Sequence, residues 1–193
     1  MSDESAAIRK LIEQARGGDR QAVATIYENH VDRIFRYIVF RVGSESDAED
    51  LTAEVFLNMV EGLPNYEYTG APFEAWLYRI ASRRVADFYR KRGRLPEADL
   101  SEHMEGSASL PEERVLEKQE VSELHAALRQ LSEQEQQILI LRFVERKSHQ
   151  AVADILNKRV SAVKTAQHRA LRQLSRLLGS EKKTRHYLRG NDD

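Results

Sequence analysis

Residues Phe73–Arg94 read FEAWLYRIASRRVADFYRKRGR. Phe73, Leu77, Ile80, Ala81, Val85 and Phe88 recur at spacings of three and four, the period of a helix packed on a core. From Ala75 onward the basic side chains are Arg79, Arg83, Arg84, Arg90, Lys91, Arg92 and Arg94, opposed by one acid, Asp87. A solvated helix face normally mixes signs, so a face this basic predicts a polyanionic partner. Half of the fourteen aromatics lie between Tyr66 and Tyr89, which sets flat apolar rings beside the cations. Unpaired bases stack on such rings, each worth about 1–3 kcal/mol. Phe73 and Phe88 fit the core better, Trp76 suits either role, and Tyr66, Tyr68 and Tyr78 are the expected exposed rings.

The net charge is only −1, so affinity for nucleic acid has to come from local patches. Residues 75–94 carry +6, residues 95–113 carry −6, and residues 158–176 hold six bases and no acid. There is no cysteine, which excludes disulfides, thiolate metal sites and a thiol nucleophile. The six histidines are scattered, with no metal-ligand spacing, and there is no phosphate-binding glycine loop, HExxH or nucleophile–base set. No enzyme activity, metal or cofactor is expected. No apolar run approaches the length that spans a bilayer, and MSDESAAIRK lacks a signal-peptide core, so a cytoplasmic protein with no membrane insertion is expected.

Few prolines and glycines, long helical periodicities and no alternating runs predict an all-α chain. Helices are expected over residues 6–16, 20–42 (with Val23, Ile26, Tyr27, Val31, Ile34, Phe35 and Ile38 inward), 47–63 and 73–94, with Asp19 and Ser46 as caps and Gly43 and Gly93 as stops. The third opens with Asp47, Glu49, Asp50 and Glu54. Acids stabilise a helix N-terminus, but a face continuing to Glu54 equally suits a basic protein partner. PNYEYTGAP, residues 64–72, is a loop holding two tyrosines.

Residues 95–113 have no period and read as a flexible acidic linker. Helix resumes over 112–131. Ser132 and Glu135 then form a capping box for a helix to about 144. A short helix, 149–156, a turn at Asn157 and a final helix, 161–178, compose a helix-turn-helix. Its outward positions are Ser161, Ala162, Lys164, Thr165, His168, Arg169 and Arg172. Small residues there admit the backbone to a major groove, and the longer ones reach phosphates and guanines. The expected organisation is two small helical domains, 6–94 and 114–179, joined by the linker and followed by a poorly ordered tail, 180–193.

Five blocks in this order carry a resemblance: GDRQAVATIYENHVDRIFRY, DAEDLTAEVFLNMV, FEAWLYRIASRRVADFYRKR, LSEQEQQILILRF and VADILNKRVSAVKTAQHRAL. The chain resembles the extracytoplasmic-function (ECF) sigma factors of bacterial RNA polymerase. The resemblance implies that Asp47, Glu49, Asp50 and Glu54 dock on the clamp coiled coil of the largest polymerase subunit. It implies that Tyr66, Tyr68, Trp76, Tyr78, Arg79, Arg83, Arg84, Arg90 and Lys91 recognise and open the −10 element. The linker would thread through the polymerase, and the second domain would read the −35 element and touch the flap. Core RNA polymerase and promoter DNA are the implied partners, with an inhibitory anti-sigma factor as a further one. The alternative is a stand-alone helix-turn-helix regulator, which predicts tight duplex binding without polymerase.

Overall fold

Short polar side chains start most of the helices, because the first backbone N–H groups of a helix have no partner within it. The computed structural model describes residues 3–92 and 122–179. Helix α1 is Asp3–Arg16 and α2 is Arg20–Val42, the latter capped by Asp19, whose carboxylate accepts from the Gln21 and Ala22 amides. Gly43, at φ 78°, closes α2. The cap of α3, Glu45–Gly62, is Ser44 rather than the expected Ser46. The left-handed glycine turns the chain at once, Ser44 is already extended, and its hydroxyl accepts from the Asp47 amide at 3.3 Å.

A 3-10 turn, Leu63–Asn65, and a loop lead to α4, Phe73–Lys91. After α5, residues 122–129, the expected capping box opens α6, Glu133–Leu139. The helix continues as a π segment, Ile140–Val144. Helix α7 is His149–Leu156, and Asn157 ends it in the left-handed conformation expected (φ 51°, ψ 52°). Helix α8 is Val160–Leu177. The described residues contain no strand. The expected acidic linker and tail, and Gly93 and Arg94, lie outside them.

The largest apolar cluster runs through both halves of the chain. Ile26, Ile34, Tyr37 and Ile38 of α2, Val55 and Met59 of α3 and Leu77, Tyr78 and Val85 of α4 belong to it. So do Ile138, Ile140 and Leu141 from α6 and its π extension, Val152 and Ile155 of α7 and Val163 of α8. A smaller cluster joins Leu124, Leu128 and Leu131 to Leu139, Ala170 and Leu174. Tyr27, expected in the buried stripe of α2, is 44 % exposed and rests edge-on against Phe56. Tyr37 takes the interior place instead, its hydroxyl 2.8 Å from Ser82 Oγ and its ring 5.2 Å from that of Tyr78.

Two histidines sit where the halves meet. His30 of α2 faces Phe73, with Glu74, Arg33 and Lys147 around it. His125 of α5 lies edge-on to Phe40 of α2, near Arg129. The Nε2 atom of each is buried without a hydrogen-bond partner. Burial lowers both from the ordinary value of 6.5, and only Glu74 opposes it, at His30. The fold therefore holds both rings neutral, and the unfolded chain binds more protons below that value. Stability to urea should be fully present above pH 6.5 and decline as pH falls below it. His30→Gln with His125→Gln should flatten the decline between pH 7 and 5, as read from the denaturation midpoint.

Candidate nucleic-acid and partner interfaces

Helix α4 presents its cations unevenly. Arg79, Arg83 and Lys91 are exposed and have no acidic partner among the described residues. Arg84 is half-buried between Glu54 of α3, at 3.6 Å, and Asp87, at 3.5 Å. Arg90 also pairs with Asp87. Arg92 makes two bonds to Asp47 of α3, at 3.1 and 3.2 Å, and lies over the Phe88 ring. The packing of α3 on α4 thus ties part of the acidic set to part of the basic set, leaving Arg79, Arg83 and Lys91 as the open edge.

The loop before α4 holds its tyrosines differently. Tyr66 is half-buried, with ring centroids 4.8 Å from Trp76 and 5.2 Å from Phe73. Gly62 makes room for this cluster: a Cβ there would lie 2.9 Å from the Trp76 ring. Tyr68 is 54 % exposed, donates to the Gly70 carbonyl at 3.3 Å and carries the Arg9 guanidinium over its face at 4.8 Å. Of the three rings expected to be exposed only Tyr68 is: Tyr66 is half-buried, and the larger correction is Tyr78. It is 1 % exposed and donates its hydroxyl to Glu145 at 3.2 Å, so it offers no face to a base in this arrangement. Burial and the Glu145 carboxylate push its phenol far above the usual range, which keeps it a donor.

The four acids expected at the partner site, Asp47, Glu49, Asp50 and Glu54, separate into two pairs. Asp47 and Glu54 face α4 and its arginines. Glu49 and Asp50 are exposed and have no cationic partner among the described residues. One helical face runs from Asp50 through Ala53 to Leu57 and Val60, and Leu57 is 64 % and Val60 45 % exposed. These two apolar side chains were absent from the expected site. A signal for them exists: Leu51, Val55, Phe56 and Met59 already fill the inward face of α3.

In the second half α7, the Asn157 turn and α8 make the expected helix-turn-helix. Gln167 receives a bond from Arg142 at 3.2 Å and lies 3.0 Å from His149 Nε2, which fixes the start of α7 against α8. Val163, Ala166, Ala170 and Leu174 bury the inner face of α8. Ser161, Ala162, Lys164, Thr165, His168, Arg169 and Arg172 are all exposed on the outer one. Thr165 donates to the Ser161 carbonyl, Arg172 donates to His168 Nε2 at 3.2 Å, and Arg169 lies 3.8 Å from Glu135. No acid of its own stands on α8. Among the described residues no cluster of His, Asp or Glu is placed to hold a metal, and no helix is long and apolar enough to cross a membrane.

The sigma-70 region 2 family matches residues 26–95 and the sigma-70 region 4 family matches residues 122–174. Together they take in most of α2, all of α3–α7 and most of α8. The chain therefore belongs to the sigma-70 superfamily of transcription initiation factors. Within it, the chain is an ECF RNA polymerase sigma factor, an alternative sigma factor that directs transcription initiation at promoters. It is 36 % identical over 177 residues to the ECF sigma factor BldN of Streptomyces coelicolor, covering 91 % of this chain and 67 % of that protein. It is 34 % identical over 181 residues to SigD of Mycobacterium tuberculosis, covering 90 % and 85 %. The fold resembles CnrH, solved with the cytosolic domain of CnrY, at a TM-score of 0.66 and 24 % identity over 90 % of this chain and 97 % of that one. It also resembles RpoE, solved with the anti-sigma factor NepR from Bartonella quintana, at 0.60 and 21 % over 81 % and 96 %.

The two loop tyrosines should separate in stability. Tyr66→Ala removes a ring from the Trp76–Phe73 cluster and should cost about 2 kcal/mol, within the range for losing a partly buried aromatic. Tyr68→Ala removes an exposed ring and should stay within about 0.5 kcal/mol of the parent. Chemical denaturation of the two variants measures the difference.

Proposed function

We propose that the chain divides its work between the helical unit of residues 6–94 and that of residues 114–179, with 95–113 as the acidic connection. The observation that carries this reading is the presence of two separate basic surfaces, only one of which has an exposed aromatic ring, Tyr68, beside it. Duplex recognition needs cations and small side chains, as on α8. Strand opening needs rings as well, as beside α4. The outer face of α8, from Ser161 to Arg172, reads the −35 element. Arg79, Arg83 and Lys91, with Tyr68 and the edge of the Tyr66–Trp76 pair, hold the −10 element and receive its unpaired bases. Arg84 and Arg90, being paired internally, position that edge more than they touch DNA, and Tyr78 has no stacking role.

Core RNA polymerase docks on α3, through its clamp coiled coil, at Glu49 and Asp50 with Leu57 and Val60 as the apolar centre. An acidic rim around exposed apolar side chains suits a basic amphipathic partner. The second unit meets the flap of the other large subunit. An anti-sigma factor, of the kind named with the solved relatives, would compete for the same surfaces. A protein that works on chromosomal promoters with polymerase acts in the cytoplasm and carries out no catalysis of its own.

The deciding experiment is binding to a fluorescent promoter duplex, with and without core polymerase, alongside run-off transcription. Specific binding and transcripts that require core enzyme support the reading. Tight duplex binding that core enzyme does not change would replace it with a stand-alone regulator. Leu57→Asp should weaken core binding about tenfold or more, as loss of a central interface side chain does. Lys164→Ala and Arg169→Ala should each weaken promoter binding by about 1–3 kcal/mol if they touch bases, with the loss confined to the −35 element. Tyr68→Ala should slow strand opening, followed by a fluorescent base at −10, while closed-complex affinity stays near the parent's.

A further inference from the structure

Helix α1 brings a cation to the aromatic loop from outside the stretch matched by sigma-70 region 2, which begins at residue 26. The Arg9 guanidinium lies over the face of Tyr68, 4.8 Å from the ring centre, and both side chains are exposed. The Tyr68 hydroxyl donates to the carbonyl of Gly70, two residues on. The ring is thus held at its hydroxyl by its own loop and at one face by a different element.

Local structure sets where Arg9 stands. Ile12 and Ala15 are buried and Ile8 and Leu11 partly so, in the same cluster as Leu63, Phe73 and Tyr66. The end of α1 is closed by backbone bonds: the Gly17 amide donates to the Glu13 carbonyl and the Asp19 amide to that of Gln14, with Gly18 at φ 88°. Helix α1 therefore packs on α2 and on the 3-10 turn that precedes the loop, and it carries Arg9 to Tyr68. Burial raises the Tyr66 phenol above its ordinary value, while Arg79 opposes the rise and Tyr68 adds to it, so these three groups stand close together. From α1 to α4 the surface runs Arg9, Tyr68, Tyr66, Arg79, two rings between two cations. A mere tether for α1 is not needed here, because its apolar face already anchors it.

We propose that Arg9 is a positioning residue of the −10 site, holding Tyr68 by one face so that the ring receives a single unpaired base on the other. This rests on the reading of the loop before α4 given above and adds to it a residue of α1. A free ring on a loop offers two faces and loses its rotamer freedom when a base arrives, which weakens binding. With a guanidinium already stacked on it, the ring is ordered beforehand. One face is then taken, so Tyr68 caps one base and does not insert between two.

The test uses the full-length protein with core polymerase and a promoter that the pair transcribes, mismatched across −10 so that capture needs no melting. The non-template strand carries 2-aminopurine at one position at a time, a base whose emission stacking quenches. One −10 position should be quenched, and Tyr68→Ala should abolish that quenching. Arg9→Gln should weaken binding to the mismatched promoter about two- to fivefold, the weight of an exposed cation over a ring, and reduce quenching at that same position. In the Tyr68→Ala background Arg9→Gln should add nothing. Arg9 is exposed, and circular dichroism with core binding at the parent's level confirms that the variant is folded and loaded. Unchanged binding and quenching in Arg9→Gln overturns the proposal. So does Tyr68-dependent quenching at two adjacent positions, or an equal loss from Arg9→Gln with and without Tyr68, which would make Arg9 an independent phosphate contact. The loop reading has its own arm. If Tyr68→Ala leaves binding and quenching unchanged, both ideas fail; if Tyr68→Ala impairs them while Arg9→Gln is silent, only the role of Arg9 fails.

Discussion

A carboxylate cannot stay charged and unpaired in a protein interior, and this constraint at Glu145 organises the packed molecule. The carboxylate needs donors, and its own unit supplies none. Arg36 and Tyr78 supply them from two different helices, so satisfying one side chain sets the positions of α2, α4 and the π segment together. A buried ion pair adds little net stability, because desolvation offsets most of the attraction. Here only Glu145 is buried, while about half of the Arg36 side chain meets water, so its attraction is screened as well. The pair therefore selects an arrangement more than it strengthens one. The apolar cluster common to both halves holds the units together, and Glu145 decides how they face each other.

Charge works at a second level, through segregation. The chain is close to neutral, yet its acidic and basic side chains gather in different stretches. At physiological salt an exposed charge is felt over about 8 Å, so each partner meets a local patch and not the net charge. The contact between α3 and α4 trims those patches. Asp47 and Glu54 are taken up by Arg92 and Arg84, and what remains exposed is Glu49 and Asp50 on one side and Arg79, Arg83 and Lys91 on the other. A counted run of like charges overstates the surface that a partner can reach.

The same distinction separates what could be read in the sequence from what could not. Helices declare themselves through local period and caps, and the capping box at Ser132, the left-handed Asn157 and the helix-turn-helix all follow from residues within a few positions of one another. The start of α3 moved by two residues because Ser44 and Ser46 are equally good caps and only the glycine turn before them chooses. Tyr78 was misplaced for a different reason. It adjoins Leu77 on the margin of the inward face, and its cover comes from Glu145, 67 residues away. No local pattern carries that information. The pairing of Asp47 with Arg92 spans 45 residues and is hidden in the same way. Leu57 and Val60 are the reverse case: the inward face of α3 is complete without them, so their exposure was legible.

Helix α4 is where the two levels meet. Tyr78 and Glu74 face the second unit, while Arg79 and Arg83 face solvent, so one rigid helix carries both the contacts to that unit and the open basic edge. Because successive residues on a helix point about 100° apart, Tyr78 and Arg79 serve the two roles without sharing a surface. Two weak DNA-reading units on one tether also gain from each other, because the second contact becomes intramolecular once the first has formed.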